Sequence, residues 1–523
     1  MKSDKSNVSR RDFLKVTGAV AAGIQVGAIA GAGLAAGKDP STLTGWQHLD
    51  DNTQFVDRSK LILKGKPYQI VGETRRCEYV ESPFGRSNYI MRDMMAIRKE
   101  KMNRKESEED DFVRDVVPEG GAQQKSSGSR KPLFPEMNSI SEPLLSFYEK
   151  FPEIYELDKI RTELIMPKRA EDVKKYGDYY KLIDAWAGAW ETSKRITQPP
   201  EISDFRLGRR AIPDPLPFKS PGHASELIKK VTHHFGASMV GITRLNPDWC
   251  YNHSLRGSKN RGAYEKPEHW KYVIAFGVPH QWEQVQSNPN MGTSNDAYAR
   301  STIAARRLET YIKSLGYAAR RHSPMDGYDL VAVPILVDTG LGQQGRHGVI
   351  ITPETGSNFR VAFVTTNLEL EIDKPIDFGV NEFCTSCKIC ADICPSQSIS
   401  HADTNEDMTT RGYRHWEINQ TSCYNFWMQS MGAMGCRLCI IACPYSRKNN
   451  WLHALARKAD TGDPTGLVND GLTWMQEKFF DTPVASDYLP PPDGHFANFR
   501  EPPEWLQVSK YLDMNPLDPT KGQ

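Results

Sequence analysis

The chain has 523 residues and a nearly even charge balance, 66 Lys and Arg against 65 Asp and Glu. That balance excludes nucleic-acid binding driven by bulk positive charge. A hydrophobic fraction of 39%, with 20 Tyr, 20 Phe and 11 Trp, excludes a disordered chain, and the length suffices for two or three domains with cores of their own.

The chain opens on an address. Ser9-Arg10-Arg11-Asp12-Phe13-Leu14-Lys15 precedes an uncharged stretch from Val16 to Gly37 that is rich in Ala and Gly. A charged start, an apolar run and small residues near its end make an export signal. The adjacent Arg10-Arg11 ahead of Phe13-Leu14 marks the twin-arginine kind. Such a stretch is also long enough to span a bilayer, but so much Ala and Gly makes it weakly hydrophobic, which favours a signal peptide over residues 1–37. Twin-arginine transport moves folded proteins, so metal clusters can be inserted before export. A chain threaded unfolded would carry bare thiols into an oxidising compartment.

Residues 38–221 read as an irregular N-terminal region. Its charge runs, Arg98-Lys99-Glu100-Lys101 and Glu106-Ser107-Glu108-Glu109-Asp110-Asp111, and the Gly/Ser/Lys-rich patch from Gly120 to Lys131 read as solvated loop. From 222 to 372 the pattern becomes α/β. Helical spacing over Glu226 to Phe235 ends at Gly236, ahead of the apolar run Ser238-Met239-Val240-Gly241-Ile242. Tyr272 to Phe276 reads as a buried strand, and Ala297 to Leu315 as a long helix closed by Gly316. Leu330 to Val337 and Val361 to Thr365 are further strand candidates, separated by a glycine-rich loop. The alternation predicts a layered α/β (α+β) domain. A cysteine-rich domain follows over 373–450. The tail, 451–523, starts in a helix-like stretch from Asn450 to Ala459 and ends in proline-rich coil with no evident chemistry.

Eight of the ten cysteines lie between Cys384 and Cys443. Cys384, Cys387, Cys390 and Cys394 are spaced C-x2-C-x2-C-x3-C with Pro395 next, the bacterial ferredoxin run. Three thiolates on a tight loop can grip three corners of one cubane, while the fourth reaches a neighbouring cluster. Proline after it suits a first helical turn, where a backbone donor is not missed. The second set is Cys423, twelve residues, then Cys436-x2-Cys439-x3-Cys443-Pro444. Its last three cysteines repeat the ferredoxin spacing, and its first is displaced by a long loop. This assigns Cys384, Cys387, Cys390 and Cys443 to one [4Fe–4S] cluster, and Cys394, Cys423, Cys436 and Cys439 to another. Structural zinc prefers two separated C-x2-C pairs, which this spacing does not supply. Cys77 and Cys250 stand outside any such pattern and read as buried thiols. Two clusters form a wire, and a wire needs an acceptor.

The acceptor is implied by a resemblance that covers nearly the whole chain. The twin-arginine start, Thr339-Gly340-Leu341-Gly342-Gln343-Gln344-Gly345-Arg346-His347-Gly348, the run Asp373 to Val380 leading into Glu382-Phe383-Cys384, and the displaced Cys423 followed by Phe426-Trp427 together resemble the catalytic subunits of corrinoid-dependent reductive dehalogenases. The resemblance implies a cobalamin-type corrinoid in a nitroreductase-like domain, with no protein ligand to cobalt. In agreement, the D-x-H-x-x-G pattern that supplies such a ligand elsewhere is missing. Its nearest approach, Asp493 to Asn498, fails at the last position.

The same resemblance implies two-electron reductive removal of halide from a small organohalide. It places the proton-donating tyrosine on Tyr298 and its supporting arginine on Arg360, and lets the loop of Gly340, Gly342, Gly345, Arg346 and Gly348 cradle part of the corrinoid. Trp427 becomes a candidate wall of the substrate pocket, to which the N-terminal region also contributes. A membrane-anchor subunit and a quinol-linked electron donor are implied partners, at the outer face of the cytoplasmic membrane. One departure is the run His322-Ser323-Pro324-Met325-Asp326-Gly327, which lacks the asparagine that the family often carries there. By residue type alone, a tyrosine on a helix is more often a packed aromatic, and a lone arginine before a strand a surface charge.

Two other functions compete. An epoxyqueuosine reductase-like enzyme shares the corrinoid and the clusters but acts on tRNA in the cytoplasm, against which stand the export signal and the neutral charge. A ferredoxin-type electron-transfer subunit needs no large α/β domain.

Overall fold

The computed structural model describes residues 58–101, 134–163, 215–252, 270–281, 285, 291–324, 328–430, 436–446 and 473. The export signal, the patch from Gly120 to Lys131 and the C-terminal tail expected from the sequence lie outside the described residues. Among the described residues no helix is long and apolar enough to cross a membrane.

Helices α1 (Pro83–Lys101) and α2 (Glu142–Lys150) come first, with further helical residues at 152–163. Then follow α3 (Pro221–His234), β1 (Met239–Arg244), β2 (Tyr272–Pro279), α4 (Met291–Ser314), β3 (Ala319–His322) and α5 (Ala332–Asp338). A two-residue ribbon, β4 (Gln343–Gln344) with β5 (Ile350–Ile351), leads into β6 (Phe359–Thr366). The cysteine-rich part holds α6 (Val380–Ser386), α7 (Ile389–Asp392), α8 (Gln420–Ser430) and α9 (Leu438–Ala442).

The central sheet runs β1-β2-β6-β3, with every pair antiparallel. β2 is buried along its whole length, as a central strand covered on both faces must be. Its residues alternate between two cores. Ile274 and Phe276, with Ala362 and Val364 of β6, pack under α3 and α4 against Ile228, Ala305, Leu308 and Ile312. Val273 and Ala275, with Phe359 and Phe363, face Trp249, Trp270 and the α5 side chains Ile335 and Leu336. This period of two places Arg360, in step with Ala362 and Val364, on the α4 side of the sheet.

The expected helices around 226–235 and 297–315 and the strands around 238–242, 272–276 and 361–365 all form. Two expectations are corrected. Leu330 to Val337 is not a strand: it enters α5, whose Pro334 sits in the first turn, where no intrahelical donor is lost. A short apolar run does not by itself distinguish a buried helix from a buried strand. The N-terminal region is not wholly irregular, because α1, α2 and 152–163 are helical. α1 buries the charged Arg86 and Asp93, which broke the apolar spacing that reading relied on.

At the end of α5, the Asp338 carboxylate accepts from Tyr68 Oη at 3.0 Å and Trp249 Nε1 at 2.9 Å. Burial pushes its pKa up to about 6 despite these bonds. Between the ordinary value of 3.8 and about 6 the folded chain holds a proton the unfolded chain has lost, so this contribution falls as pH rises through the window. Thermal melts of Asp338→Asn and the parent protein should therefore diverge in the variant's favour as pH rises from about 4 to about 6 and then run parallel. A pH-independent difference would count against a titrating Asp338.

Candidate functional site

All ten cysteines are unbridged, and Cys77 and Cys250 are fully buried away from the others, as their lack of pattern suggested. Cys384, Cys387 and Cys443 share one core with Phe383, Ile389, Leu438, Ile441 and Tyr445. Cys390 and Cys394 share an adjoining one with Ile399, against which Cys439 packs. The thiols also fall into sets by mutual repulsion. Cys384 feels Cys443 and Cys387, and Cys390 feels Cys384 first, then Cys443. Cys423 feels Cys394, while Cys436 and Cys439 both feel Cys423 and Cys394. The two cores adjoin across these sets, since Cys436 packs against the first core and Cys390 lies in the second with Cys394 and Cys439.

Burial pushes the Cys387 and Cys436 thiols up to about 12 and Cys423 to about 11. A bound metal centre lowers such a pKa by taking up the thiolate charge. Among the described residues no three Cys, His, Asp or Glu side chains converge on one ion. Donors already point at the sulfurs: the backbone N–H of Arg346 lies 3.4 Å from Cys384 Sγ, and that of Ser398 lies 3.3 Å from Cys394 Sγ.

The glycine loop serves the cysteine-rich part. Arg346 is 1% exposed. Its Nε and Nη2 donate to the Cys384 carbonyl at 2.9 and 2.5 Å, and its Nη1 donates to Ser400 and Ala402 carbonyls at 2.8 and 2.6 Å. Its guanidinium also lies 4.1 Å over the Trp416 ring. The sequence reading gave Gly340, Gly342, Gly345, Arg346 and Gly348 to a bulky ligand. In the structure, a Cβ at Gly340 would overlap the Lys374 carbonyl, one at Gly342 the Ile351 carbonyl, and ones at Gly345 and Gly348 would press on Ile351 and Ile418. The chain itself fills those spaces, and Gly340 and Gly348 also have positive φ, +65° and +76°.

Tyr298 and Arg360 meet. Tyr298 sits on the second turn of α4, and the Arg360 guanidinium lies 5.0 Å from the centre of its ring. The β6 register opposes Arg360 to Val278, so its side chain crosses to α4, where Nη2 donates to Ser294 Oγ at 2.7 Å. A second guanidinium, from Arg437, reaches the same Ser294 Oγ. Arg437 lies between Cys436 and Cys439 in a left-handed backbone conformation (φ 55°), so it joins a cysteine loop to the Tyr298–Arg360 pair. Burial, and then Arg360, push its pKa down to about 9, which leaves it cationic at neutral pH.

His280, at the end of β2, is 4% exposed, and neither ring nitrogen has a hydrogen-bond partner among the described residues. Burial and then Arg360, Arg437 and Arg300 hold its pKa well below 6.5, so it is neutral. The buried Asn358 Oδ1 and Arg360 Nε likewise lack partners among the described residues. Sequence reading missed His280, Ser294 and Arg437. Arg437 alone carried a signal, its place inside a C-x2-C pair. Trp427, the proposed pocket wall, packs 5.6 Å from Phe84 and 5.7 Å from Tyr424 at the edge of the cysteine-rich core.

Comparison with known proteins adds the following. Residues 383–447 match a 4Fe-4S dicluster domain, and residues 7–27 match a twin-arginine translocation signal sequence. The chain is similar to the tetrachloroethene reductive dehalogenase of Desulfitobacterium hafniense (strain Y51), 30% identical over 52% of this chain and 56% of that protein. It is also similar to that of Sulfurospirillum multivorans, 30% identical over 53% and 60%. The epoxyqueuosine reductase of Lactococcus garvieae is 28% identical over 43% of this chain and 70% of its own. Among solved structures, the catabolic reductive dehalogenase NpRdhA aligns with a TM-score of 0.46 at 24% identity, covering 55% of this chain and 38% of that one. The chain thus spans little more than half the length of the curated dehalogenases it matches.

If the second group of thiols ligates as grouped, Cys436→Ser should remove about half the bound iron while the other cluster's signal survives. Iron content equal to that of the parent protein would refute the grouping.

Proposed function

We propose that this protein is a reductive dehalogenase that takes an organohalide, two electrons and one proton to the dehalogenated product and a halide ion. The observation that carries the reading is the stacking of Arg360 on Tyr298, beside Arg437 of a cysteine loop. A proton source, a cation to support its conjugate base and an electron entry point stand together. The two curated dehalogenases support the chemistry, and the signal at 7–27 supports export by the twin-arginine route.

Cys384, Cys387, Cys390 and Cys443 would hold one [4Fe–4S] cluster, and Cys394, Cys423, Cys436 and Cys439 the second. The gathering of seven of these thiols in two adjoining cores fits a pair of such centres. A corrinoid without a protein ligand to cobalt is the acceptor, and when bound it supplies low-potential cobalt chemistry at the carbon–halogen bond. The unpartnered ring nitrogens of His280 and the Asn358 carbonyl oxygen fit the amide-rich rim of such a group, since buried polar atoms left without partners are costly. His280 and Asn358 are therefore the residues assigned to hold it.

Tyr298 gives up the proton from Oη. A phenol titrates near 10, and the phenolate left behind places negative charge on a ring that Arg360 already covers. Cation–π attraction is worth about 0.5–2 kcal/mol before that charge develops, and more once the ring is anionic. Ser294 fixes both guanidiniums by accepting from Arg360 and Arg437, which keeps Arg360 over the ring. Trp427 and the N-terminal helices border the substrate space. The mature protein works at the outer face of the cytoplasmic membrane, supplied by a quinol-linked donor through a membrane-anchor subunit. The epoxyqueuosine reductase reading is less favoured, because the export signal and the neutral charge suit neither a cytoplasmic tRNA nor a polyanion.

Tyr298→Phe should cut halide release, assayed anaerobically with an artificial low-potential donor, by about 100-fold or more. Iron and corrinoid contents should be unchanged, and full activity would remove Tyr298 from the donor role. His280→Ala should lower corrinoid bound per protein after reconstitution without changing iron. Equal corrinoid would exclude His280 as a contact.

A further inference from the structure

Cys423 has a positional problem that the other predicted ligands lack. Its nearest partner by sequence, Cys436, lies beyond twelve intervening residues, so a tight loop cannot place it as it places Cys384, Cys387 and Cys390. It rides on α8, and α8 has two working faces. Phe426 and Trp427 pack against the cysteine-rich core. Thr421, Tyr424 and Asn425, at helical spacing on another face, meet the N-terminal helices.

What they meet is a buried ionic network. Asp158, 0% exposed, accepts at Oδ2 from Arg86 Nε at 2.7 Å and from Tyr148 Oη at 2.9 Å, and at Oδ1 from Arg161 Nη1 at 2.5 Å. Arg86 and Arg161 are 1% and 0% exposed. Arg86 also donates to the Val80 and Glu81 carbonyls at 3.1 Å each, and then to Thr421 Oγ1 at 3.4 Å. Arg161 donates to Asn425 Oδ1 at 3.0 Å and to Ser87 Oγ at 3.2 Å, which also accepts from Tyr424 Oη at 3.1 Å. The Arg161 guanidinium lies 4.9 Å over the Tyr424 ring.

Burying two guanidiniums and a carboxylate is costly, and hydrophobic residues of the same volume would commonly serve stability as well or better. Such a network is justified when its directional bonds specify one arrangement, and here the bonds lead to residues on both sides of Cys423. Guanidinium forks fix orientation as well as distance, so the helix is set in rotation and height.

We propose that the Arg86–Asp158–Arg161 network is a positioning device for Cys423, by which the N-terminal helices hold the displaced ligand at the cluster it completes. The three residues are positioning residues and touch no reacting atom. The proposal rests on the reading of Cys423 as a cluster ligand.

It is tested on the full-length holoprotein with Asn425→Ala, which removes one contact to α8 and leaves the ionic core whole, and with Asp158→Asn, which removes the shared acceptor. Loss of a partner that orients a metal ligand typically costs about 10- to 100-fold in metal affinity. Each variant should therefore lose iron to a chelator about 10-fold faster than the parent protein. The loss should be confined to one cluster and leave a [3Fe–4S] electron paramagnetic resonance signal. The reduced-cluster signal that fades should be the one Cys423→Ser removes. Unchanged iron retention in Asn425→Ala, or equal loss from both clusters, overturns the proposal, and it decides the matter should Asp158→Asn not fold. Iron in the parent and in Cys423→Ser, read in the same series, tests the ligand reading separately: equal iron in those two overturns that reading, and this proposal with it.

Discussion

A buried guanidinium, Arg346, couples the two halves of the described structure. It leaves the loop between β4 and β5, where glycines let the chain pass close to itself, and spends its donors on the carbonyls of Cys384, Ser400 and Ala402. Five polar N–H groups out of water must find acceptors, and backbone carbonyls around a cysteine loop provide them without adding negative charge. The positive charge thus remains available beside Cys384, whose sulfur also receives the Arg346 N–H. Once this side chain is in place, the sheet domain and the first cysteine run cannot move independently.

A second seam lies near the site. Gly356, with φ +60°, lets its segment approach the Tyr445 carbonyl, and Ser357 and Asn358 bond to Ser446 Oγ and carbonyl at 3.0 and 2.7 Å. Two residues later the chain delivers Arg360 to α4. The segment that closes the first cysteine group behind Cys443 is thus the one that sets the start of β6, and with it the height of Arg360 over Tyr298. Arg437 repeats the theme from the second group through Ser294. The cysteine loops and the Tyr298–Arg360 pair are linked by short, polar contacts.

How much of this was legible depended on how local the physics was. The cysteine groups, the long helix and the central strands are written in spacing and alternation, which the backbone enforces within a few residues. The segment from Leu330 to Val337 misled because a short apolar run suits either geometry, and only its packing under the sheet chose a helix. The N-terminal helices escaped notice because their buried faces carry Arg86, Asp93, Asp158 and Arg161, so apolar periodicity was weak where burial was complete. The glycine loop was legible as a special backbone, but not what it made room for.

By itself the sequence determined that eight thiols would gather in a ferredoxin-type dicluster domain behind an export signal, because cysteine spacing and a charged-then-apolar start act locally. It also named Tyr298 and Arg360, though only through likeness to other chains, since nothing near either residue in sequence announces the other. Tertiary structure alone decided that these two stack, that Ser294 serves two guanidiniums, that His280 is buried without hydrogen-bond partners among the described residues, and that Arg86 and Arg161, joined through Asp158, grip the helix of Cys423. Apart from the Arg161–Asp158 bond within one helical stretch, those contacts join residues between 62 and 335 positions apart. Only the register of a sheet and the packing of helices across it can bring such distant side chains within hydrogen-bonding reach.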